Sequence, residues 1–582
     1  MSKVHSAGPV AVVGRLPPSV HLNRLSLLYN VVFTIKIATT PFFAYLTEPF
    51  PWALPAAVHP AWNATTSTEY STMTAAYLQS IYNNATMPAS SVCYRHGATN
   101  SNVLRLVRPL PPSTDTCVEY LVHMPGAGLY GAGMRRFVCT FLAASASQRR
   151  GMPWHHCLHA VMAGLPLGEV CVWFESTPHP RDVVVYHAMI IWENVGWCWG
   201  KLLFRCLLTT YILSVLWRRY YKHYAGLVHN LRTVGVHDDA PFAAYEVIVG
   251  DPTYQILRDP VVSIVMVLDI WLGMAYVAIA TERVSQYEDW WQFLLGCMYT
   301  SRYVWNGYLM MWILSRVAKR CCWERWFSPV DPSFLGVMAY FYGGPILLLV
   351  GNTSLMVPIH ALWDVAAPAQ DRDYYMEVMP GCAFWSIVMA SVPVTASTSV
   401  TLGRRVRRLW GGAQPHDDLL SGRHFCPRQY NDVKSRFVLK IAMRRVAYEV
   451  PLEGGSLYTL IQRRPSFRRM PLFSHRGADC CVLAYHRDKT VVRQMRLTLR
   501  DCIDLLQLRH IDAAVPVCVS MTPSTYCTLS SATCALCRAS TGRSGMLRLH
   551  AGANYSPWLL CLNDGPMSEC IRMGATRQCS HR

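Results

Sequence analysis

The sequence predicts a polytopic α-helical membrane protein: about six transmembrane helices, a mixed α/β extracytoplasmic domain and a small α+β cytoplasmic tail domain. Three observations carry this. Apolar runs long enough to cross a bilayer recur along the chain. Every second run ends in a basic cluster: Arg218-Arg219-Tyr220-Tyr221-Lys222, then Arg316, Lys319 and Arg320, then Arg404-Arg405-Val406-Arg407-Arg408. Only 15% of the residues are charged, against roughly 25% in soluble domains. The alternation is the positive-inside pattern. The intervening ends carry acids instead: Glu282, Glu288 and Asp289 in one loop, Asp364, Asp371, Asp373 and Glu377 in another.

A spanning helix needs about 20 mostly apolar residues, because each advances 1.5 Å across a core of about 30 Å. The N-terminus, 1–24, reads as cytoplasmic. Residues 25–46 form the first span, a signal-anchor preceded by Lys3, Arg15 and Arg24. An extracytoplasmic domain covers 47–195. Further spans follow at 196–217, 260–281, 290–314, 334–350 and 382–402. Cytoplasmic loops lie at 218–259 and 315–333, an extracytoplasmic loop at 351–381, and a basic cytoplasmic tail at 403–582. Both termini are thus expected inside, at the plasma membrane or an endomembrane. The third and fourth spans are joined by a short loop and must be antiparallel neighbours. The fifth holds Gly343-Gly344-Pro345, which permits a kink.

The outer domain opens on proline-rich loop. Residues 118–124, 170–174 and 183–192 read as strands, and 135–144 as a short helix. Its five cysteines, Cys93, Cys117, Cys139, Cys157 and Cys171, suit two disulfides in an oxidising compartment and leave one over. The sequons Asn63-Ala-Thr65 and Asn84-Ala-Thr86 make Asn63 and Asn84 glycosylation candidates. Gly126-Ala-Gly128-Leu-Tyr-Gly131 matches a dinucleotide fingerprint. No acid follows about 20 residues on, so a small-residue turn is the better reading. No cofactor is expected. His155 and His159 are the metal candidates: at i, i+4 on a helix they would share a face, but a site needs further ligands.

Ionisable residues inside spans are costly and draw attention first. These are Lys36, Asp269 and Arg302, with Lys201 and Arg205 near the outer end of the second span. Asp269 and Asn306 fall at similar depths on the two arms of the hairpin, with Arg302 one turn further out. We expect Asp269, Arg302 and Asn306 to interact, with Lys36 joining them or snorkelling. A neutralised pair fixing the hairpin register is the plainer role; a polar lining for an ion path is the other.

Positions 404–582 hold 28 Lys and Arg against 12 Asp and Glu. Beside a membrane this favours anionic inner-leaflet lipids. No nucleic-acid recognition motif accompanies the charge. Residues 430–450 read as a basic amphipathic helix, 481–485 and 490–499 as strands, and 500–509 as a helix. Cys527, Cys534 and Cys537 offer an incomplete zinc set. No GxSxG, HExxH, P-loop or kinase motif set is present, so an enzyme is not indicated.

Tyr299-Thr-Ser-Arg-Tyr-Val-Trp-Asn-Gly-Tyr308 and Asp331-Pro-Ser-Phe-Leu-Gly-Val-Met-Ala-Tyr-Phe-Tyr342 make residues 240–365 similar to uncharacterised multipass membrane proteins of oomycetes. The resemblance implies no activity. Two functions follow from the layout. One is a receptor-like or interaction protein that binds an extracellular ligand outside and anchors or signals inside. The other is a transporter or channel using polar groups of the third and fourth spans.

Overall fold

A computed structural model describes residues 19–54, 64–111, 117–233, 244–284, 289–321, 332–366, 375–410, 452–454 and 480–497, with short gaps inside these stretches. In chain order, β1 (Ser19–Leu22) leads straight into α1 (Arg24–Thr39), which runs on through 3-10 turns at Thr40–Leu46 and Pro51–Ala53. Next come α2 (Ser67–Ile81), β2 (Cys93–His96), β3 (Ser101–Pro109), α3 (Cys117–Val122), α4 (Ala132–Ala143) and α5 (Ala146–Gly151). Three long strands follow: β4 (Trp154–Met162), β5 (Leu165–Ser176) and β6 (Asp182–Ile191). Then α6 (Val195–Leu216) continues through a π-helical turn, Trp217–Tyr221, into α7 (Lys222–Thr233). β7 (Ala244–Ile248) and α8 (Thr253–Leu257) precede α9 (Pro260–Leu272), α10 (Ala275–Val284), α11 (Trp290–Thr300) and α12 (Val304–Arg320). α13 (Pro332–Gly351), α14 (Met356–Ala366), β8 (Tyr375–Glu377) and α15 (Met379–Trp410) lead to β9 (Leu452–Gly454), β10 (Cys480–Tyr485) and β11 (Val491–Leu497).

Many helix starts are written in the sequence as side-chain caps. Asn23 accepts from Ser26 N, Asn194 from Gly196 N, and Asp289 from Trp291 N and Gln292 N. Asp259 accepts from Val261 N and Val262 N, with Pro260 at the first helical position. Each cap satisfies amides that the first helical turn leaves without carbonyl partners. The β4–β5 hairpin turns at Ala163 and Gly164, both with positive φ, of 51° and 81°, which suits the twist of the flanking strands.

Eleven strands among the described residues form two mixed sheets. One has six strands in the order β2-β3-β6-β5-β4-β8; the other has five, β1-β7-β10-β11-β9. In the six-stranded sheet β6 is buried along almost its whole length. Tyr70 and Leu78 of α2 pack with Trp173 and Tyr186 on one face. Met134 and Phe141 of α4 join Val172 and Met189 on the other, in a core continuous with the helices. In the five-stranded sheet, Tyr220, Tyr224, Leu227 and Leu231 pack on Val20, Tyr245, Val247 and Val482. α6 begins three residues after β6, and its Tyr220 hydroxyl donates to Gly250 O, 2.7 Å away and just past β7. The two sheets therefore sit at opposite ends of α6, roughly 37 Å apart at 1.5 Å per residue.

The six-span helical fold is overturned: the architecture is mixed α/β. Among the described residues three helical segments are long and apolar enough to cross a membrane: Arg24–Ala53, Val195–His229 and Gly381–Gly403. A fourth exists only if α9 and α10, bent by 85°, count as one span. Hydropathy registers apolar composition, not the continuity of a helix. The 260–281 run breaks between Leu272 and Ala275, and the 290–314 run breaks at a 3-10 turn, Ser301–Tyr303.

Smaller readings also change. Of the residues read as a strand at 118–124, 118–122 lie in helix α3 instead. His155 and His159 lie on strand β4, not on a helix. The strands expected at 170–174 and 481–485 fall within β5 and β10, and the 183–192 and 490–499 readings overlap β6 and β11. The helix read at 430–450, that at 500–509, Cys527, Cys534 and Cys537, and both Asn63 and Asn84 lie outside the described residues.

Candidate functional site

The densest chemistry among the described residues is a buried ion network where the helices meet the six-stranded sheet. Its members come from five places in the chain. Glu48 follows the 3-10 turn after α1. Glu193 stands just before α6. Lys201 and Arg205 share one face of α6 at i, i+4. Asp269 is on α9, and Arg302 is on the 3-10 turn between α11 and α12. Glu48, Lys201, Arg205, Asp269 and Arg302 are all buried.

Glu48 is the hub. Lys201 Nζ donates to its Oε2 at 2.8 Å, and Arg205 Nη2 lies 2.9 Å from the same oxygen. Arg302 Nη1 stands 3.6 Å from Oε1. Asp269 receives Arg205 Nε at 2.8 Å on one oxygen and Arg302 on the other. Lys201 also pairs with Glu193. Three carboxylates thus face three cations, and each cation touches two carboxylates. Aromatic rings close the shell: Tyr45 lies 4.7 Å from the Arg205 guanidinium and Tyr299 4.9 Å from that of Arg302. Such balance is what buried charge requires, because one unmatched ion in a low-dielectric interior costs several kcal/mol.

The break between α9 and α10 belongs to this site. The Tyr299 hydroxyl lies 2.9 Å from Gly273 O and 3.2 Å from Glu48 Oε1. It therefore ties the helix end to the hub. A Cβ at Gly273 would collide with the Glu48 carboxylate. Past the break, α10 meets the sheet through a second buried set. Glu282 accepts from Asn102 Nδ2 of β3 at 2.6 Å and pairs with His187 Nδ1 of β6. Arg283 Nη1 donates to Leu46 O at 2.9 Å, tying α10 back to the segment that carries Glu48. The Tyr276 hydroxyl donates to Glu193 and receives Asn100 Nδ2 at 3.2 Å.

The structure brings Asp269 and Arg302 together. Asn306 is buried close by in sequence, but its Nδ2 donates to Tyr303 O at 3.1 Å. Lys36 is exposed on α1. Sequence reasoning missed Glu48 and Glu193 as partners. Their signal was faint: an acid at the end of an apolar run, facing Lys201 and Arg205 at a similar depth on the next span.

On the outer face of the six-stranded sheet the two histidine candidates part company. Side chains four apart on a strand stand roughly 13 Å from one another at 3.3 Å per residue, too far to share one ion. His159 Nδ1 instead bonds the Tyr70 hydroxyl at 3.0 Å. Burial holds both imidazoles below their ordinary value. Cys157, between them, is bonded to Cys171, and Cys117 to Cys139. Cys93 keeps its thiol, pushed up to about 12 by burial and by the nearby Glu282. No group of three or more His, Cys, Asp or Glu residues that could hold a metal occurs among the described residues. The Gly126–Gly131 stretch follows helix α3 rather than a strand, so it lacks the strand–turn–helix context of a dinucleotide site.

No protein-family model, curated protein or solved structure matches this chain.

Proposed function

We propose that this chain is an integral multi-pass membrane protein of receptor-like or interaction type. In this reading the six-stranded domain is the outer binding module and the five-stranded sheet the inner one. The ion-locked helices hold the two in a fixed relation. The observation that carries the reading is the closed charge balance of the network. Groups lining the path of a charged passenger keep a net charge for it and face a wet cavity. Here Glu48, Glu193 and Asp269 neutralise Lys201, Arg205 and Arg302.

Chain connectivity supports the sidedness. The chain leaves the five-stranded sheet through α1, returns through α6, rejoins the six-stranded sheet at β8 and returns again through α15. A net crossing must therefore occur between β7 and β8. Counting the bent α9–α10 pair as that crossing makes four in all, an even number. An even number puts β1 and β11 on one side, as their shared sheet requires. The basic ends Arg218-Arg219 and Arg404-Arg405 fall on the five-stranded side, which is then the cytoplasmic one. Cysteine chemistry agrees: both disulfides lie on the six-stranded side.

The test has two arms. Purified protein in liposomes is assayed against a panel of ions and small solutes. The expected result is no flux above empty vesicles; wild-type flux lost in Asp269→Asn would replace this reading with transport. In cells, Leu165→Cys in the β4–β5 turn and Arg487→Cys in the β10–β11 turn are challenged with a membrane-impermeant thiol reagent. Leu165→Cys should add a label to intact cells, and Arg487→Cys only after permeabilisation. Labelling of both from one side would sink the two-sided arrangement.

A further inference from the structure

Among the described residues, six exposed tryptophans lie at helix ends. Trp52, Trp197, Trp199, Trp290 and Trp291 are 50% to 76% exposed. A side chain of that size seldom faces water so fully, and a group of them marks a surface with a partner. All five sit at the same end of the helices. Trp52 closes the segment after α1, and its ring lies 6.2 Å from that of Trp199 in the first turns of α6. Trp290 and Trp291 open α11, shortly after Glu282 and Arg283. Those two residues contact Asn102 of the six-stranded sheet and Thr47 beside Glu48. The sixth, Trp217, is 61% exposed and lies at the opposite end of α6, beside Arg218 and Arg219.

Between the two ends the exposed side chains of α6 are Leu203, Cys206, Leu207, Thr210, Tyr211 and Leu213. On α1 they include Leu28, Val32 and Ile35. Trp199 and Trp217 lie roughly 27 Å apart along α6 at 1.5 Å per residue, close to the ~30 Å of a hydrocarbon core. Tryptophan favours the boundary of headgroup and acyl chain, where its ring meets both an apolar and a wet neighbour.

We infer that Trp52, Trp197, Trp199, Trp290 and Trp291 form an interfacial girdle that docks on the outer leaflet of a lipid bilayer, with Trp217 marking the inner boundary. The partner is the headgroup–acyl zone of a phospholipid layer. The inference rests on the membrane reading above and deepens it. It fixes where the bilayer meets the helices and puts the ion network just inside the outer boundary, since Lys201 and Arg205 follow Trp199 by less than two turns.

The test uses the full chain, labelled with 5-fluorotryptophan and reconstituted in phosphatidylcholine vesicles. Each resonance is assigned by its loss in a single Trp→Phe variant. Vesicles carry a lipid spin label either near the headgroup or at the acyl terminus, or meet a water-soluble gadolinium chelate. The five girdle signals should lose most intensity to the headgroup-proximal label. Buried Trp173 and Trp305 should be spared by all three agents. The girdle is overturned if its signals are quenched mainly by gadolinium or are untouched by either lipid label. Opposite labelling of Leu165→Cys and Arg487→Cys together with spared tryptophans would remove the girdle alone. Same-side labelling with spared tryptophans would remove the membrane reading as well.

Discussion

The two sheets are built in opposite ways. The six-stranded sheet takes five of its strands from one stretch of chain, β2 to β6, in antiparallel register. It is crossed by the Cys157–Cys171 disulfide, and Cys117–Cys139 ties α3 to α4 beside it. The five-stranded sheet gathers β1 from one end of the chain, β7 from the middle and β9 to β11 from the other end. Loop-closure entropy makes such pairings late and dependent on whatever brings the ends together. The first sheet can be specified locally. The second can close only when α1 and α6 have placed Ser19–Leu22 beside Ala244–Val247, and the bonds Ser26–Val249 and Asn30–Gly250 then pin it to α1.

The largest expected break of this comparison is removal of residues 452–582. That deletes β9 to β11 and strips β7 of its antiparallel partner. Hydrogen exchange should show the amides of Ala244–Ile248 losing nearly all protection while those of β5 and β6 keep theirs. Equal loss in both sheets would mean that they fold as one unit.

Next in size is Glu48→Gln. It leaves three buried cations against two carboxylates, a loss of about 3–5 kcal/mol, read as a fall in thermal midpoint in detergent. Asp269→Asn should behave similarly. Asp269→Asn with Arg302→Gln restores charge balance and should recover part of the loss. Absence of any recovery would argue against the pairing of these two residues.

Cys157→Ser with Cys171→Ser should cost about 2–4 kcal/mol. The loss should be confined to the six-stranded domain, with exchange in the five-stranded sheet unchanged. Reductant should reproduce this asymmetry in the unmutated chain.

The smallest effect is on acidification. His155 and His159 are held below the ordinary imidazole value by burial, so the folded chain binds their protons less readily than the unfolded chain. Their contribution is therefore complete above roughly pH 6.5 and is lost as pH falls from there toward the lower folded values. The six-stranded domain should weaken over that window. His159→Phe should flatten its pH–stability slope, while the five-stranded sheet serves as the control.

Much of the local design was legible from residues alone. Asn23, Asn194, Asp259 and Asp289 cap helix starts; a cap is an interaction between neighbours in sequence, although none of the four was singled out from the sequence. The apolar runs at 170–174, 183–192 and 481–485 mark strands, because burial repeats along them. The Asp269–Arg302 contact followed from placing two antiparallel arms at matched depth. The i, i+4 pairing of His155 and His159 failed because a short polar-apolar mixture does not distinguish helix from strand until a partner strand, here β5, captures it.

The sequence by itself determined the composition of the apolar segments, the basic clusters at the ends of alternate segments, the helix caps and several strands. All of these depend on residues near one another in the chain. Only the tertiary structure decided that β1, β7 and β10 share a sheet, and that β8 crosses back to β4. It alone set the bend at Gly273 and the choice of Glu48 as the hub of three cations from α6 and the α11–α12 turn. Those outcomes are set by contacts between residues far apart in sequence, where charge balance and close packing select one arrangement and local propensity gives no preference.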